Sequence, residues 1–408
     1  MALIFYMLQK HQEQYPHKDD TMNIFKNAGI TTEQFLKEYW QKKPLFIPNA
    51  FEDFQPVLSA DELAGLSCEE NIESRLIFEN GPNHPWELHN GPFNDDTFAN
   101  LPAKGWTLLV QAVDQVIPEA SHLLNDFNFI PNWRLDDLMI SFAVPGGSVG
   151  PHYDQYDVFL IQAEGERIWQ IGEPCTKETE FRTDTPLHIL AEFDHTQEFH
   201  TKPGDILYIP PRVPHFGVAA TPCQTYSVGF RAPSYGEIVE GFAGYIADKL
   251  SPDLRFTDSN SESLDNPGLI SDATINQLQS IIQHAVQDKE SIKEWFAGFM
   301  SQPKYEENND EITFGISPEE MSAIIESSDT LYRNEQARFL YVQNDDSPAL
   351  SLFVNGHPVN SESSSNELIM LLCQERCISI EKHNKLLLSK ENIKIIKHLY
   401  EQDWLYVE

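Results

Sequence analysis

The chain has 408 residues, long enough for two or three domains that each bury their own core. It carries 63 Asp and Glu against 28 Lys and Arg, a formal net charge of −35. That balance excludes nonspecific binding to nucleic-acid phosphates and favours encounter with a basic partner. Five cysteines in so long a chain exclude a disulfide framework and fit a reducing compartment, so a cytoplasmic location is expected.

The N-terminal run Ala2-Leu3-Ile4-Phe5-Tyr6 has no basic residues before it and no small-residue cleavage site. It does not read as a signal peptide and is too short to cross a bilayer. Met22 reads as the natural start, with the first 21 residues an extension ahead of it and 1–22 set apart from the catalytic domain. Thr31-Thr32-Glu33-Gln34 predicts a helix cap, followed by an amphipathic turn through Phe35, Leu36, Tyr39 and Trp40 and a strand near Leu45-Phe46-Ile47. A second short helix is predicted over 59–66.

From about residue 74 to 232 short apolar runs alternate with Gly, Pro and Asp. Strands are predicted at 75–79, 107–110, 138–144, 157–163, 167–171, 198–201, 205–209 and 224–230. Many short strands with turn signals between them point to a sandwich or barrel. Beyond Pro233 the period changes: Ile238, Phe242, Ile246 and Leu250 recur at helical spacing, as do Ile275, Leu278, Ile282 and Val286. A polar loop spans 251–267 and an acidic linker 301–312. The segment 233–316 therefore reads as a helical domain, with a homodimer contact expected, and 317–408 as a winged-helix-like module. From Arg338 onward there are 10 acidic and 7 basic residues, so direct DNA binding is not expected of that module. Cys373 and Cys377 lie in a leucine-rich helical pattern and read as core residues.

His152-Tyr153-Asp154 is followed, some sixty residues on, by Pro203-Gly204-Asp205, a strand, and then Pro214-His215. Residues i and i+2 of an extended segment face the same way, so His152 and Asp154 can converge on one ion. With His215 they make two imidazoles and a carboxylate, the ligand set of a mononuclear non-haem Fe(II) site with open positions for chemistry. A metal motif inside a many-stranded region predicts a double-stranded β-helix, or jelly roll, in an α+β chain. His84, His89, His188, His195 and His200 read as surface residues. A dicarboxylate co-substrate such as 2-oxoglutarate needs a buried cation, and Arg167 and Arg231 are rival candidates.

Several stretches together resemble the JmjC-type 2-oxoglutarate oxygenases, and among them the bacterial ribosomal oxygenases that hydroxylate an arginine of large-subunit protein L16. They are Tyr39-Trp40-Gln41-Lys42-Lys43-Pro44-Leu45, residues 133–142, residues 150–159, residues 203–211 and residues 226–233. The resemblance runs from about residue 23 to the C-terminus. It implies a JmjC, cupin-like jelly-roll catalytic domain over 23–232, then a helical dimerisation domain and a winged-helix domain. It implies His152, Asp154 and His215 as iron ligands, Arg167 as partner of the far carboxylate of 2-oxoglutarate, and Ser141 as a further contact in that pocket. It also implies a dioxygenase using O2 and acting on a basic, L16-like ribosomal protein. Gln155, Tyr156 and Asp157 follow the metal motif and are candidate contacts for a cationic substrate. Histidyl hydroxylation, demethylation of N-methyl-lysine and a non-catalytic metal-binding cupin are the competing readings.

Overall fold

The computed structural model describes residues 23–79, 85–258, 266–305 and 315–407. The expected N-terminal extension, His84, residues 259–265 of the polar loop and most of the acidic linker lie outside the described residues. The chain divides into two compact units, with the boundary between Ala232 and Pro233.

In the first unit the entry is set by local chemistry. Thr31 caps the helix Thr32–Glu38 in a reciprocal box with Gln34, and Ser59 does the same for Ala60–Leu66 with Glu62. Each cap contributes about 1 kcal/mol. Eleven strands follow among the described residues: β1 (Leu45–Ile47), β2 (Ser74–Glu79), β3 (Trp86–Asn90), β4 (Trp106–Val110), β5 (Leu135–Ala143), β6 (Val158–Glu164), β7 (Arg167–Ile171), β8 (Gln197–Thr201), β9 (Ile206–Ile209), β10 (His215–Ala219) and β11 (Cys223–Phe230). Eight form one sheet in the order β1-β9-β6-β11-β5-β4-β2-β3, and three form a second, β10-β7-β8, all antiparallel. This is the predicted jelly roll. The strand pattern gives nothing at Trp86–Asn90, which pairs with β2 as an edge strand.

The larger sheet is buried on both faces. Phe159, Ile161, Tyr208, Tyr226, Val228 and Phe230 pack outward against Phe35, Phe127 and the N-terminal helices. The alternate residues, Val158, Leu160, Leu207 and Ile209, face inward against Trp169 and Ile171 of the smaller sheet. Strand parity therefore decides which side chains enter the barrel.

In the second unit, Ile238, Phe242 and Ile246 of the helix Tyr235–Lys249 are half-buried, and Phe242 meets Trp295 of the helix Lys289–Ser301 at 5.4 Å between ring centroids. The helix Asp272–Ala285 is different: Ile275, Leu278, Ile281 and Ile282 are all exposed. The remainder builds a core around Leu331, Leu352, Leu372, Ile396 and Leu399, with Thr330–Arg333 paired between Cys377–Ser379 and Leu405–Val407. Cys373 is buried in this unit and Cys377 half-buried, neither in a disulfide. No described helix is long and apolar enough to cross a membrane.

Candidate active site

His152, Asp154 and His215 are brought together, with potential ligand atoms all within 4.8 Å of one another. His152 lies just outside a regular strand. It is held in register by an isolated bridge in which the His152 N–H donates to the His215 carbonyl (3.1 Å) and the His215 N–H donates back (2.8 Å). The Arg212 N–H donates to the Asp154 carbonyl at 2.7 Å, which fixes the other end of the motif. Gly150 makes the approach possible: its φ is +85°, and a Cβ there would sit 2.6 Å from the Ile189 side chain.

The imidazoles are already oriented. Nδ1 of His152 lies 2.9 Å from the Gly150 carbonyl oxygen, and Nδ1 of His215 lies 3.1 Å from that of Val213. Carbonyl oxygens only accept, so each Nδ1 carries its proton and each Nε2 presents a lone pair. His215 Nε2 is 3.7 Å from an Asp154 oxygen. Burial, and then the neighbouring His152, push the His215 imidazole down to about 4, so it stays neutral and ready to ligate. A donor set of two neutral imidazoles and a carboxylate fits a divalent iron.

The rest of the pocket follows from parity. Burial alternates along β10 and β7, so His215, Gly217 and Ala219 face inward with Ile171, Trp169 and Arg167 opposite them. Arg167 is buried, and its Nε and Nη2 have no hydrogen-bond partner. These two N–H groups form the side-on edge of the guanidinium, the fork that matches a carboxylate. Its hydrogen-bonded side-chain neighbour is the Cys223 thiol, and burial holds the Arg167 pKa below its ordinary value. The rival Arg231 is already paired, with Nε 3.3 Å from Asp136. This orphaned fork, on the inward face that also carries His215, has the donor geometry that a carboxylate fits. Ser141 is also buried and inward, its hydroxyl donating to the Thr225 carbonyl at 3.2 Å.

Gln155 and Tyr156 are exposed beside Asp154. The Tyr156 hydroxyl is hydrogen-bonded to Asp154. The residue is 42% exposed, but its hydroxyl end is enclosed, and burial of that end first, then the carboxylates of Asp154, Asp137 and Asp136, push its pKa up. Asp157 is a correction. It shares the parity of Phe159, so its carboxylate turns behind the sheet, where it is fully buried. There it accepts from Tyr208 Oη (2.6 Å), Arg134 Nη2 (3.0 Å) and Gln41 Nε2 (3.1 Å), and it is not available to a substrate cation. Trp169 and Cys223 lie against Arg167, and the motifs do not point to them. Parity with Arg167 singles out Trp169, whereas nothing local in the sequence signals Cys223. Of the histidines set aside as surface residues, His89, His188, His195 and His200 are exposed.

Residues 122–238 match the family described as JmjC domain, and residues 280–406 match the ROXA-like winged helix. The chain is 34% identical over 330 residues to the ribosomal protein uL16 3-hydroxylase of Escherichia coli, spanning 80% of this chain and 85% of that protein. It is also 34% identical over 339 residues to a probable ribosomal oxygenase of Haemophilus influenzae, covering 80% of this chain and 81% of the relative. Its fold superposes on the crystal structure of E. coli YcfD with a TM-score of 0.83, at 31% identity, over 93% of this chain and 98% of that one. A structure of YcfD with cobalt and 2-oxoglutarate superposes with a TM-score of 0.81 over the same shares.

Proposed function

Since the chain belongs to the bacterial JmjC-fold ribosomal oxygenases, Fe(II)- and 2-oxoglutarate-dependent enzymes, we propose that it hydroxylates the β-carbon of an arginine in ribosomal protein uL16. The observation that carries this reading is the pairing, inside one barrel, of a preoriented His/Asp/His set with a buried guanidinium fork that lacks an anion. A ferrous ion held by His152, Asp154 and His215 supplies O2 activation, coupled to oxidative decarboxylation of 2-oxoglutarate to succinate and CO2.

The chain's own part is positioning. Arg167 takes the far carboxylate of the co-substrate side-on, and Ser141 lines the same pocket. Cys223 steadies Arg167, and Tyr156 steadies Asp154 through its hydroxyl, as outer partners of ligands commonly do. Gln155 and Tyr156, exposed beside Asp154, give the mouth a polar and aromatic wall for an arginine side chain. The acidic surface of the chain attracts a basic ribosomal protein to that mouth. The exposed apolar face of Asp272–Ala285 fits a second copy of the chain, with residues 233–316 as the dimerisation segment and 317–408 as the winged-helix module. The assignment carries a cytoplasmic location with it.

The test is incubation with recombinant uL16, Fe(II) and 2-oxoglutarate, with fragment-ion mapping of the product. One oxygen added to an arginine is the expected result. Oxygen on a histidine, loss of a methyl group with formaldehyde, or no succinate at all would each replace this reading with one of its competitors.

A further inference from the structure

Arg167 is not alone in lacking a partner. The indole Nε1 of Trp169 is buried and also has none. Trp169 stands two residues along β7 from Arg167 on the same inward face, and the Arg167 Cζ lies 5.3 Å from its ring centroid. Three orphaned N–H donors therefore come from two residues of one strand, facing one interior.

The ring is fixed by its neighbours. Opposite it on β10 is Gly217. A Cβ there would lie 2.4 to 2.7 Å from Cζ3, Cη2 and Cε3 of Trp169, so the six-membered ring occupies the space that the glycine leaves. Nε1 is on the other edge of the indole, turned away from β10. Around the ring are Val158, Leu160, Ile171 and Leu207, which offer no side-chain acceptor. The His215 ring is 5.9 Å away, and in the register of β7 with β10 Trp169 falls between Ile171, which is opposite His215, and Arg167. A buried donor with no acceptor is a standing penalty unless a ligand supplies one.

We propose that the Trp169 indole N–H is a third donor to the far carboxylate of the dicarboxylate co-substrate, bonding the same group that Arg167 holds side-on. This rests on the reading of Arg167 given above. Arg167 supplies charge and the bidentate edge. Trp169 supplies a neutral, directional donor that fixes the rotation of the carboxylate and hence the distance from it to the iron ligands. The chemical consequence is selectivity for a 2-oxo acid with a carboxylate at its far end over one that ends in a methyl group.

The experiment uses the full chain loaded with Mn(II) and measures the Kd of 2-oxoglutarate and of 2-oxopentanoate by calorimetry, for the wild type, Trp169→Phe and Arg167→Met. Phe keeps an aromatic ring and removes only the donor edge. Trp169→Phe should weaken 2-oxoglutarate roughly ten- to a hundredfold, as expected for one hydrogen bond to a charged group, and leave 2-oxopentanoate unchanged. A second readout follows the indole N–H of the wild-type protein directly. In Zn(II)-loaded protein with 15N-labelled tryptophan, the Trp169 indole N–H resonance, assigned by its absence in Trp169→Phe, should shift with 2-oxoglutarate and stay put with 2-oxopentanoate. An unmoved resonance, or equal weakening of both acids in Trp169→Phe, overturns the proposal. An unchanged Kd in Arg167→Met instead sinks the anchor reading itself. Weakening in Arg167→Met alone removes Trp169 and leaves that reading standing.

Discussion

Asp157→Ala separates two roles for a residue that sits three positions past a metal ligand. The carboxylate is fully buried and accepts three hydrogen bonds, one from a guanidinium whose side chain is 13% exposed. Burial raises its pKa, while Tyr208, Gln41 and Arg134 all work to lower it. Removing one member of a buried pair strands the other, at about 3–5 kcal/mol. The first unit runs to Ala232, a length at which 1 kcal/mol moves Tm by about 2–4 °C. A fall of roughly 6–20 °C in its thermal transition is therefore expected, read by differential scanning calorimetry. Binding of a uL16 peptide to the folded fraction should be unchanged. A variant that melts with the wild type but has lost peptide affinity would refute the reasoning and return Asp157 to the substrate side.

Mn(II) should raise the melting temperature of the wild type, by an increment that grows with metal concentration, and do nothing for His215→Ala. A thermal-shift titration reads both. Arg167→Met should raise the 2-oxoglutarate needed for succinate formation at least tenfold, whereas Arg231→Met, which breaks the pair with Asp136, should shift it far less. Gly217→Ala should drive Trp169 off its seat, cost about 1–3 kcal/mol by overpacking and lower co-substrate affinity in calorimetry. Ile275→Asp with Ile282→Asp should convert a dimer to a monomer in sedimentation velocity, and a mass unchanged from the wild type would discard that interface.

Periodicity made the barrel strands legible, and the two halves of the triad were visible because their spacing brackets a Pro-Gly-Asp turn. Asp157 shows where the reading stops. Proximity in sequence to Asp154 suggests a shared site, yet in an extended chain the neighbour at odd spacing faces the other way, and a bonded cluster of Tyr208, Gln41 and Arg134 waits there. Those partners lie 23 to 116 residues away, beyond any local pattern. The preference for Arg167 over Arg231 likewise rests on partners that no local pattern displays: Arg231 meets Asp136, whereas the Arg167 Nε and Nη2 have no hydrogen-bond partner. Trp86–Asn90 escapes notice because its alternation is short and an Asn-Gly-Pro-Asn turn signal precedes it.

The bridge between His152 and His215 also orders events in time. The two segments it joins meet only after β6 to β9 have been laid between them, and β11, which pairs with both β5 and β6, comes later still. A chain still being synthesised holds His152 and Asp154 without their third partner, a bidentate arm too weak to retain iron against competitors. Loading must await the emergence of β10 and closure of the barrel, because such long-range pairings form late. Nascent or truncated chains that end before His215 should therefore leave the cell's ferrous pool untouched.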